Sequence, residues 1–313
     1  MELISDDFKS ETLSLNSIPE LMESPFDYLR AVFIYFWNQS DSLPSSTLLP
    51  SRITIKSDIP IGAGLSSSAA LLTSMVYFIS NILLDQELDL KNIAEIAYIC
   101  EHDIMGISCG RMDQYSCALG KIFHMTSKFR PNIIPLQLPQ NTYIIIADSG
   151  IKRKADIPLK NVQESIFRAL EDLNNPNLNE LNEDDIKSSK LTRLQQKRLT
   201  GVIGIRDNTM AALKELQRKN LNLMAIGKLL SEQQTFLREN YQVSLPKLDL
   251  MCKIALQNGA FGAKMTGAGF GGCIFAISDK QKRAIQIKNN LQRVGASYIM
   301  KMDTKGILHK SGT

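Results

Sequence analysis

Long apolar runs, metal-type cysteine pairs and a strong charge imbalance are all missing from this 313-residue sequence. No apolar stretch reaches the roughly 18–20 residues that a membrane-spanning helix needs, and the polar, acidic start MELISDDFKSETLSL is unlike a secretory signal. The net charge of +4 is too small to indicate nucleic acid or an anionic membrane as a partner. We therefore expect a cytoplasmic protein that binds neither.

Cysteine and histidine occur in numbers and spacings that argue against the common metal and disulfide frameworks. The five cysteines form no C-x-x-C pair, and the three histidines lack the spacing of a zinc hydrolase. This usage predicts reduced cysteines that act as small apolar side chains. The P-loop sequence G-x-x-x-x-G-K-[ST] is absent as well.

The length predicts two domains. Hydrophobic periodicity predicts helices and strands without the regular βαβ order of a doubly wound sheet, which favours the α+β class. Helices are predicted at 26–37, 66–84, 90–106, in three runs up to 258 and at 279–295, and strands at 51–59, 142–150, directly after 262–272 and at 296–302. The polar run 171–185 is predicted to be a mobile surface segment.

The stretch IPIGAGLSSSAALL, residues 59–72, lies between a predicted strand and a helix predicted to begin near Ser67. Gly62 and Gly64 allow the backbone to approach a ligand, and Ser66–Ser68 add hydroxyl donors. The first N–H groups of a helix lack internal partners and carry partial positive charge, so this stretch suits a phosphate group. A plain glycine turn followed by a serine N-cap is equally compatible.

Two further stretches contain residues suited to catalysis or ligand binding. In CEHDIMGISCGRMDQYSCALG, residues 100–120, Glu101 and Asp113 suit magnesium binding and general-base roles, whereas solvated surface acids are the alternative. In GAKMTGAGFGG, residues 262–272, five glycines in eleven residues indicate a loop whose backbone comes close to something. The sequence is compatible with two explanations for this loop: a bound ligand, or tight packing between the domains.

In this order, PIGAGLSSSAA, CGRMDQ and GAKMTGAGFGGC resemble the GHMP small-molecule kinases, and most closely their galactokinase branch. LRENYQVSLPKLD, residues 237–249, adds a fourth match, and the resemblance extends from about Phe26 to the C-terminus. It implies a two-domain fold with an active site in the cleft. Residues 1–139 would form a domain like ribosomal protein S5 domain 2, and residues 140–313 a ferredoxin-like domain.

The resemblance also implies ATP and Mg²⁺ as cofactors and a set of site residues. The implied nucleotide-binding residues are Gly62, Ala63, Gly64, Leu65, Ser66, Ser67, Ser68 and Ala69. Ser68 and Glu101 would bind the metal. Asp113 would take the proton of the sugar hydroxyl or orient that hydroxyl. The phosphate and substrate loop comprises Thr266, Gly267, Ala268, Gly269 and Gly271. Further candidate substrate residues are Arg111, Gly150 and Lys160.

The sequence also departs from the family pattern. The N-terminal strand with an arginine and the following Gly-Glu-His-Thr-Asp, which help transfer the phosphate and read the sugar, have no counterpart here. A fragment, a start-site error and a truly reduced protein are all compatible with this. Lys160 stands in place of a tyrosine and Arg111 in place of an isoleucine, and 152–154 reads KRK. These cations suit an acidic or phosphorylated sugar, or they are simply solvated.

The resemblance implies an ATP-dependent kinase that phosphorylates the anomeric hydroxyl of galactose or a related sugar, as a monomer or homodimer. Two alternatives stay open: a non-catalytic or truncated relative that binds nucleotide or sugar, and a kinase for another small alcohol such as mevalonate. Because the arginine and the sugar-reading acids are missing, we expect residues 1–313 alone to retain little galactokinase activity.

Overall fold

The computed structural model describes residues 1–14, 17–39, 52–126, 131–152 and 156–300. The described residues divide into two compact units. The first unit draws on Met1–Pro60 and Ser66–Pro135, and the second on Ile61–Leu65 and Leu136–Met302. The domain boundary placed after Pro139 from the sequence stays a prediction.

The first unit contains a small mixed sheet. Strand β1 (Glu2–Ser5) pairs antiparallel with β2 (Glu11–Thr12) and parallel with β3 (Arg52–Ile55). The predicted strand at 51–59 is therefore shorter than expected. Strands β4 (Ile122–Met125) and β5 (Ile133–Leu136) form a separate two-stranded sheet.

Four helices in the described part of the first unit supply most of its core. They are α1 (Asp27–Gln39), α2 (Ser67–Tyr77), α3 (Leu90–Ile99) and α4 (Met112–Leu119). Apolar side chains from α1, α2 and α3 pack with Leu3 of β1 and are fully buried, among them Phe33, Leu72 and Ile93. Because α2 is apolar on nearly every side, it lies in the middle of this core.

Two helices of the first unit end in π-helical turns. After α2 the turn is Phe78–Leu83, and after α3 it is Cys100–Ile104, where the Met105 N–H donates to the Cys100 carbonyl at 3.0 Å. The helices predicted at 66–84 and 90–106 are right in extent, and Gly106 ends the second with φ +69°. The change of hydrogen-bond register was not predicted, because side-chain periodicity does not report it over a single turn.

The second unit is built on a four-stranded antiparallel sheet in the order β7-β8-β6-β9. The strands are β6 (Tyr143–Asp148), β7 (Gly262–Met265), β8 (Cys273–Ser278) and β9 (Ala296–Met300). On β8, Ile274 and Ala276 pack with α9 (Pro246–Gln257) and α10 (Gln281–Leu291). The alternate residues Phe275 and Ile277 pack with α7 (Arg193–Leu216) and α8 (Leu223–Thr235). Helices therefore cover both faces of this sheet.

The polar run 171–185 is more structured than the sequence indicates. It follows α5 (Asp156–Asp172) and leads into the short helix α6 (Glu183–Lys187), which begins with a capping box between Asn182 and Asp185. Leu181 is only 3% exposed and joins a small core with residues of α5, α6 and α7. Leu181, with the partly buried Leu173, thus attaches the segment to the unit.

A third π-helical turn, Phe236–Tyr241, follows α8. With α7 and α9 on either side, the three helical runs predicted up to residue 258 are present. Within the described residues, no helix has the length and apolar character needed to cross a membrane.

Candidate active site

The start of α2 presents unpaired backbone donors. Gly62 and Gly64 have φ of +74° and +72°, a backbone conformation that favours glycine. Ser66, the residue before the helix, is also left-handed (φ 61°, ψ 34°), and its side chain makes no capping hydrogen bond. The serine N-cap that the sequence left open is therefore not formed. The first-turn N–H groups of α2 lack intrahelical acceptors, and they and the helix dipole suit an anion.

Glu101 is the centre of a buried polar cluster in the first unit. It lies on the π-helical turn after α3 and is 5% exposed. Gln114 Nε2 donates to its Oε2 at 2.6 Å, and the Ser68 side chain lies close enough to lower the pKa of its carboxyl. Burial raises the pKa of the Glu101 carboxyl, the Ser68 and Gln114 side chains lower it, and the nearby Asp113 charge raises it, with a net upward shift. Three residues singled out in the sequence, Ser68, Glu101 and Asp113, are thus neighbours.

Asp113 differs from Glu101 in its surroundings. It lies in the first turn of α4 and is exposed, so its carboxylate is accessible to a substrate. The sequence indicated a loop at this position, which is wrong: Asp113 lies on a helix, next to Met112, which is 61% exposed. An accessible acid beside a buried one suits a division of roles between proton transfer and metal binding.

Sequence reasoning missed three neighbours of this cluster. Gln114 is 1% exposed, and its Oε1 has no hydrogen-bond donor among the described residues. Burial raises the pKa of Tyr28, and the charges of Glu101 and Cys109 add to this. Burial likewise raises the pKa of Cys117 to about 11. Gln114 directly follows Asp113 in the motif, whereas no sequence signal links Tyr28 to the site.

The residues present fit Mg²⁺. Mg²⁺ prefers oxygen ligands and commonly uses one or two carboxylates together with phosphate oxygens. Ser68 and Glu101 offer a hydroxyl and a carboxylate, and the unpaired Oε1 of Gln114 is a further oxygen beside them. Within the described ranges, no group of three or more His, Cys, Asp or Glu side chains could hold a metal alone. This donor set suits a metal ion that is shared with a bound nucleotide.

The glycine loop between β7 and β8 packs tightly within the second unit. A Cβ on Gly269 would lie 2.4 Å from the Val243 carbonyl oxygen, and one on Gly271 would lie 2.6 Å from that of Ile151. These glycines have φ of +92° and +133°. Close backbone packing therefore explains Gly269 and Gly271. Substrate or phosphate contacts of Thr266, Gly267, Ala268 and this loop as a whole stay predictions.

The three candidate substrate residues have different surroundings. Arg111 Nε lies 3.0 Å from both carboxylate oxygens of Glu95. Gly150 has φ +70°, and its N–H donates to Asp148 Oδ1 at 2.8 Å. Lys160 is exposed on α5. Of the KRK run at 152–154, only Lys152 lies within the described residues. Contact of any of these with a sugar stays a prediction.

Comparison with known proteins places this geometry in a family. The GHMP kinases N terminal domain model matches residues 28–121, and the GHMP kinases C terminal model matches residues 212–297. The chain is 30% identical to a galactokinase of Pyrococcus furiosus over 288 residues, which cover 90% of this chain and 78% of that protein. It is 33% identical to a Bos taurus galactokinase over 249 residues, covering 75% and 61%.

Solved structures share the fold. The Lactococcus lactis galactokinase complexed with galactose superposes with a TM-score of 0.78 at 21% identity, covering 97% of this chain and 82% of that one. A Methanococcus jannaschii mevalonate kinase gives a TM-score of 0.69 at 19% identity, covering 96% and 84%. The predicted two-domain α+β fold is thus confirmed. The chain belongs to the GHMP kinases, in their galactokinase-like branch.

Proposed function

We propose that this protein is an ATP-dependent sugar kinase that transfers the γ-phosphate to the anomeric hydroxyl of galactose or a related sugar. Its place in the galactokinase-like branch makes it a phosphotransferase with an alcohol acceptor. One local observation supports the residue assignments: α2 begins with unpaired N–H groups, and in the same turn Ser68 lies close enough to the buried Glu101 to lower the pKa of its carboxyl.

The triphosphate of ATP would lie at the start of α2. The N–H groups of the first turn and the backbone around Gly62 and Gly64 would bind its oxygens, since both present donors to an anion. Mg²⁺, held by Ser68 and Glu101, would neutralise phosphate charge when bound. The uncapped Ser66 matters here, because a side-chain cap would compete with the ligand for the same N–H groups.

Asp113 would serve the acceptor. In the reaction, the sugar hydroxyl oxygen forms a bond to the γ-phosphorus while the bond between that phosphorus and the β–γ bridging oxygen breaks, which releases ADP. Asp113 would orient the hydroxyl and accept its proton, which then passes to solvent. Because the transition state of phosphoryl transfer is loose, positioning and charge neutralisation supply most of the catalysis.

Location and assembly belong to the proposal as well. The expected partner is a small sugar, with no nucleic acid or membrane involved, in a cytoplasmic monomer or homodimer. The modest net charge of +4 supports the absence of a nucleic-acid or membrane partner, since it provides no strong attraction for polyanions.

The test is a coupled ADP-release assay of the 313-residue chain with galactose, galacturonate, arabinose, N-acetylgalactosamine and, as a non-sugar alcohol, mevalonate. We expect sugar-dependent turnover, with ³¹P NMR identifying an anomeric phosphate. Turnover of mevalonate alone, of no substrate, or a phosphate on another hydroxyl would overturn the proposal. The rate is a separate matter: turnover near 1 s⁻¹ or above would show that the sequence-based expectation of low activity is wrong.

A further inference from the structure

Arg111 joins two helices of the first unit through a side-chain clamp. Its Nε lies 3.0 Å from both carboxylate oxygens of Glu95 on α3, and its guanidinium lies 3.9 Å from the centre of the Tyr98 ring. The Tyr115 hydroxyl of α4 donates to the same carboxylate at 2.8 Å. Carboxylate and ring together fix both the position and the plane of the guanidinium.

The clamp lies partly out of solvent. The Arg111 and Glu95 side chains are 23% and 22% exposed. Burial opposes the charge on Arg111, but the Glu95 hydrogen bond and charge outweigh it, so the pKa of Arg111 is raised. Burial, together with the Glu95 hydrogen bond and charge, raises the pKa of Tyr115 as well. A partly desolvated ion pair of this kind is screened less by salt than a surface pair.

Arg111 lies next to the helix turn that carries Asp113, so the clamp can affect the position of this acid. Arg111 is the last residue before α4, and Asp113 is the second residue of that helix. The start of α4 has no side-chain cap, and residues 106–110 form neither helix nor strand. A Cβ on Gly106 or Gly110 would meet nothing within 4 Å, so this segment is packed loosely at both glycines. The buried Gln114 and Tyr115 hold α4 from inside the unit, and the side chain of Arg111 holds the start of its first turn.

We infer that the Glu95–Arg111 clamp is a positioning device that holds Asp113 in place against the substrate hydroxyl. This inference rests on the proposed function, in which Asp113 acts on that hydroxyl. It gives Arg111 a different role from the substrate cation that the sequence indicated. A guanidinium already bound to both oxygens of a carboxylate has its charge compensated, so it offers little attraction to an anionic sugar.

Three variants and one matched control test the clamp. Arg111→Ile removes the contacts with Glu95 and Tyr98, Arg111→Lys keeps only the charge, and Glu95→Gln removes the carboxylate. The control is Arg283→Ile, since Arg283 also pairs with a carboxylate (Asp279, 2.9 Å) and lies over an aromatic ring (Phe261, 5.2 Å), but in the second unit.

We expect Arg111→Ile to lower kcat by about 10- to 100-fold, because small misplacements of a catalytic group have effects of that size. The sugar KM should stay within about twofold. Arg111→Lys should recover part of the loss. The Glu95→Gln, Arg111→Ile double variant should lose less than the two single losses combined, because both substitutions break the same Arg111–Glu95 pair. Arg283→Ile should leave kcat unchanged.

Hydrogen exchange followed by mass spectrometry gives a readout that needs no activity. Amides of α4 that bond back to its first turn, such as the Tyr115 N–H on the Arg111 carbonyl, should exchange at least about 10-fold faster in Arg111→Ile than in the wild type, and at the wild-type rate in Arg283→Ile. A raised sugar KM with unchanged kcat would make Arg111 a substrate ligand and overturn the inference. Unchanged exchange in α4 would overturn it as well. If the wild type turns over no sugar, the proposed function fails, and exchange still decides whether the clamp orders α4.

Discussion

Two clusters in this protein use the same residue types, a serine, an acid and a glutamine. They are the Glu101 cluster in the first unit (Ser68, Glu101, Gln114) and the Asp249 cluster in the second (Gln234, Ser244, Asp249). In the Asp249 cluster, Gln234 Nε2 donates to Ser244 and Asp249, both at 3.0 Å, and its Oε1 accepts the Met265 N–H at 3.0 Å. Both ends of this glutamine therefore have partners.

The Glu101 cluster is incomplete by the same measure. Gln114 is as deeply buried as Gln234, but its Oε1 has no donor in the described part of the chain. Burial also raises the pKa of the Glu101 carboxyl, which means that its charged form is poorly compensated. A cluster that satisfies itself stabilises a fold, whereas one with unmet polar groups is suited to a ligand. The difference separates a structural site from a functional one built from the same residue types.

The largest effect should come from the acid beside the incomplete cluster. Asp113→Asn removes the proton acceptor but keeps the shape, so kcat should fall by about 100-fold or more with the affinity for ATP nearly unchanged. Steady-state kinetics and calorimetry with MgATP measure the two quantities. Asp207→Asn, at an exposed acid of the second unit, is the control. An unaltered kcat in Asp113→Asn would remove the general-base assignment.

The second effect should be a loss of stability when the Asp249 cluster is disrupted. Gln234→Met should lower the free energy of unfolding by about 1–3 kcal/mol, because the buried Met265 N–H loses its acceptor. Gln114→Met, the matched change, should cost less, since it removes the Nε2 donor to Glu101 but leaves no buried backbone N–H without an acceptor. Urea unfolding of both variants without Mg²⁺ measures this. A larger loss in Gln114→Met would contradict the distinction between the clusters.

A smaller effect should separate the two serines. Ser68→Ala should weaken Mg²⁺-dependent ATP binding by about 10-fold, the value of a hydrogen bond to a charged group, and Mg²⁺-free binding by less. Ser244→Ala should change neither, because its hydroxyl serves Asp249. Isothermal calorimetry with and without Mg²⁺ decides. Equal losses under both conditions in Ser68→Ala would exclude Ser68 as a metal ligand.

The smallest effect should be a pH dependence of stability. Burial raises the pKa of Glu101 above its usual value of 4.5, so its protonated form is favoured by folding. Without Mg²⁺, this contribution is fully present below about pH 4.5 and is lost as pH rises through the raised pKa. As pH increases, the Tm of the wild type should therefore fall relative to the Tm of Glu101→Gln. A constant difference from pH 4 to 8 would contradict it.

Local patterns predicted much of this structure. The apolar run after Ser66 predicted a helix near Ser67, and α2 begins there. The apolar run in 142–150 predicted β6, and the galactokinase-like branch indicated by the motifs is confirmed by the relatives. These features depend on residues that are close in sequence, where periodicity and turn chemistry decide the outcome.

Contacts between distant residues could not be predicted in the same way. Tyr28 and Glu101 come together because α1 packs beside the π-helical turn, and no pattern within either stretch requires this. Arg111 suggested a substrate cation because nothing in the sequence indicated Glu95, sixteen residues earlier, as its partner. The assignments of Asp113, Ser68, Glu101 and the glycine loop to bound ligands remain predictions.

The π-helical turn at Cys100–Ile104 has a consequence for comparing related chains. Such a turn holds one residue more than the α-helical turn it replaces. A single inserted codon, rather than a substitution, can therefore rotate every later side chain by about 100° about the helix axis. An alignment with a chain that lacks this turn needs a one-residue gap within residues 90–104 to keep later residues in register. Gaps inside this helix then carry meaning, and an apparently missing acid in a homologue is better sought one position away.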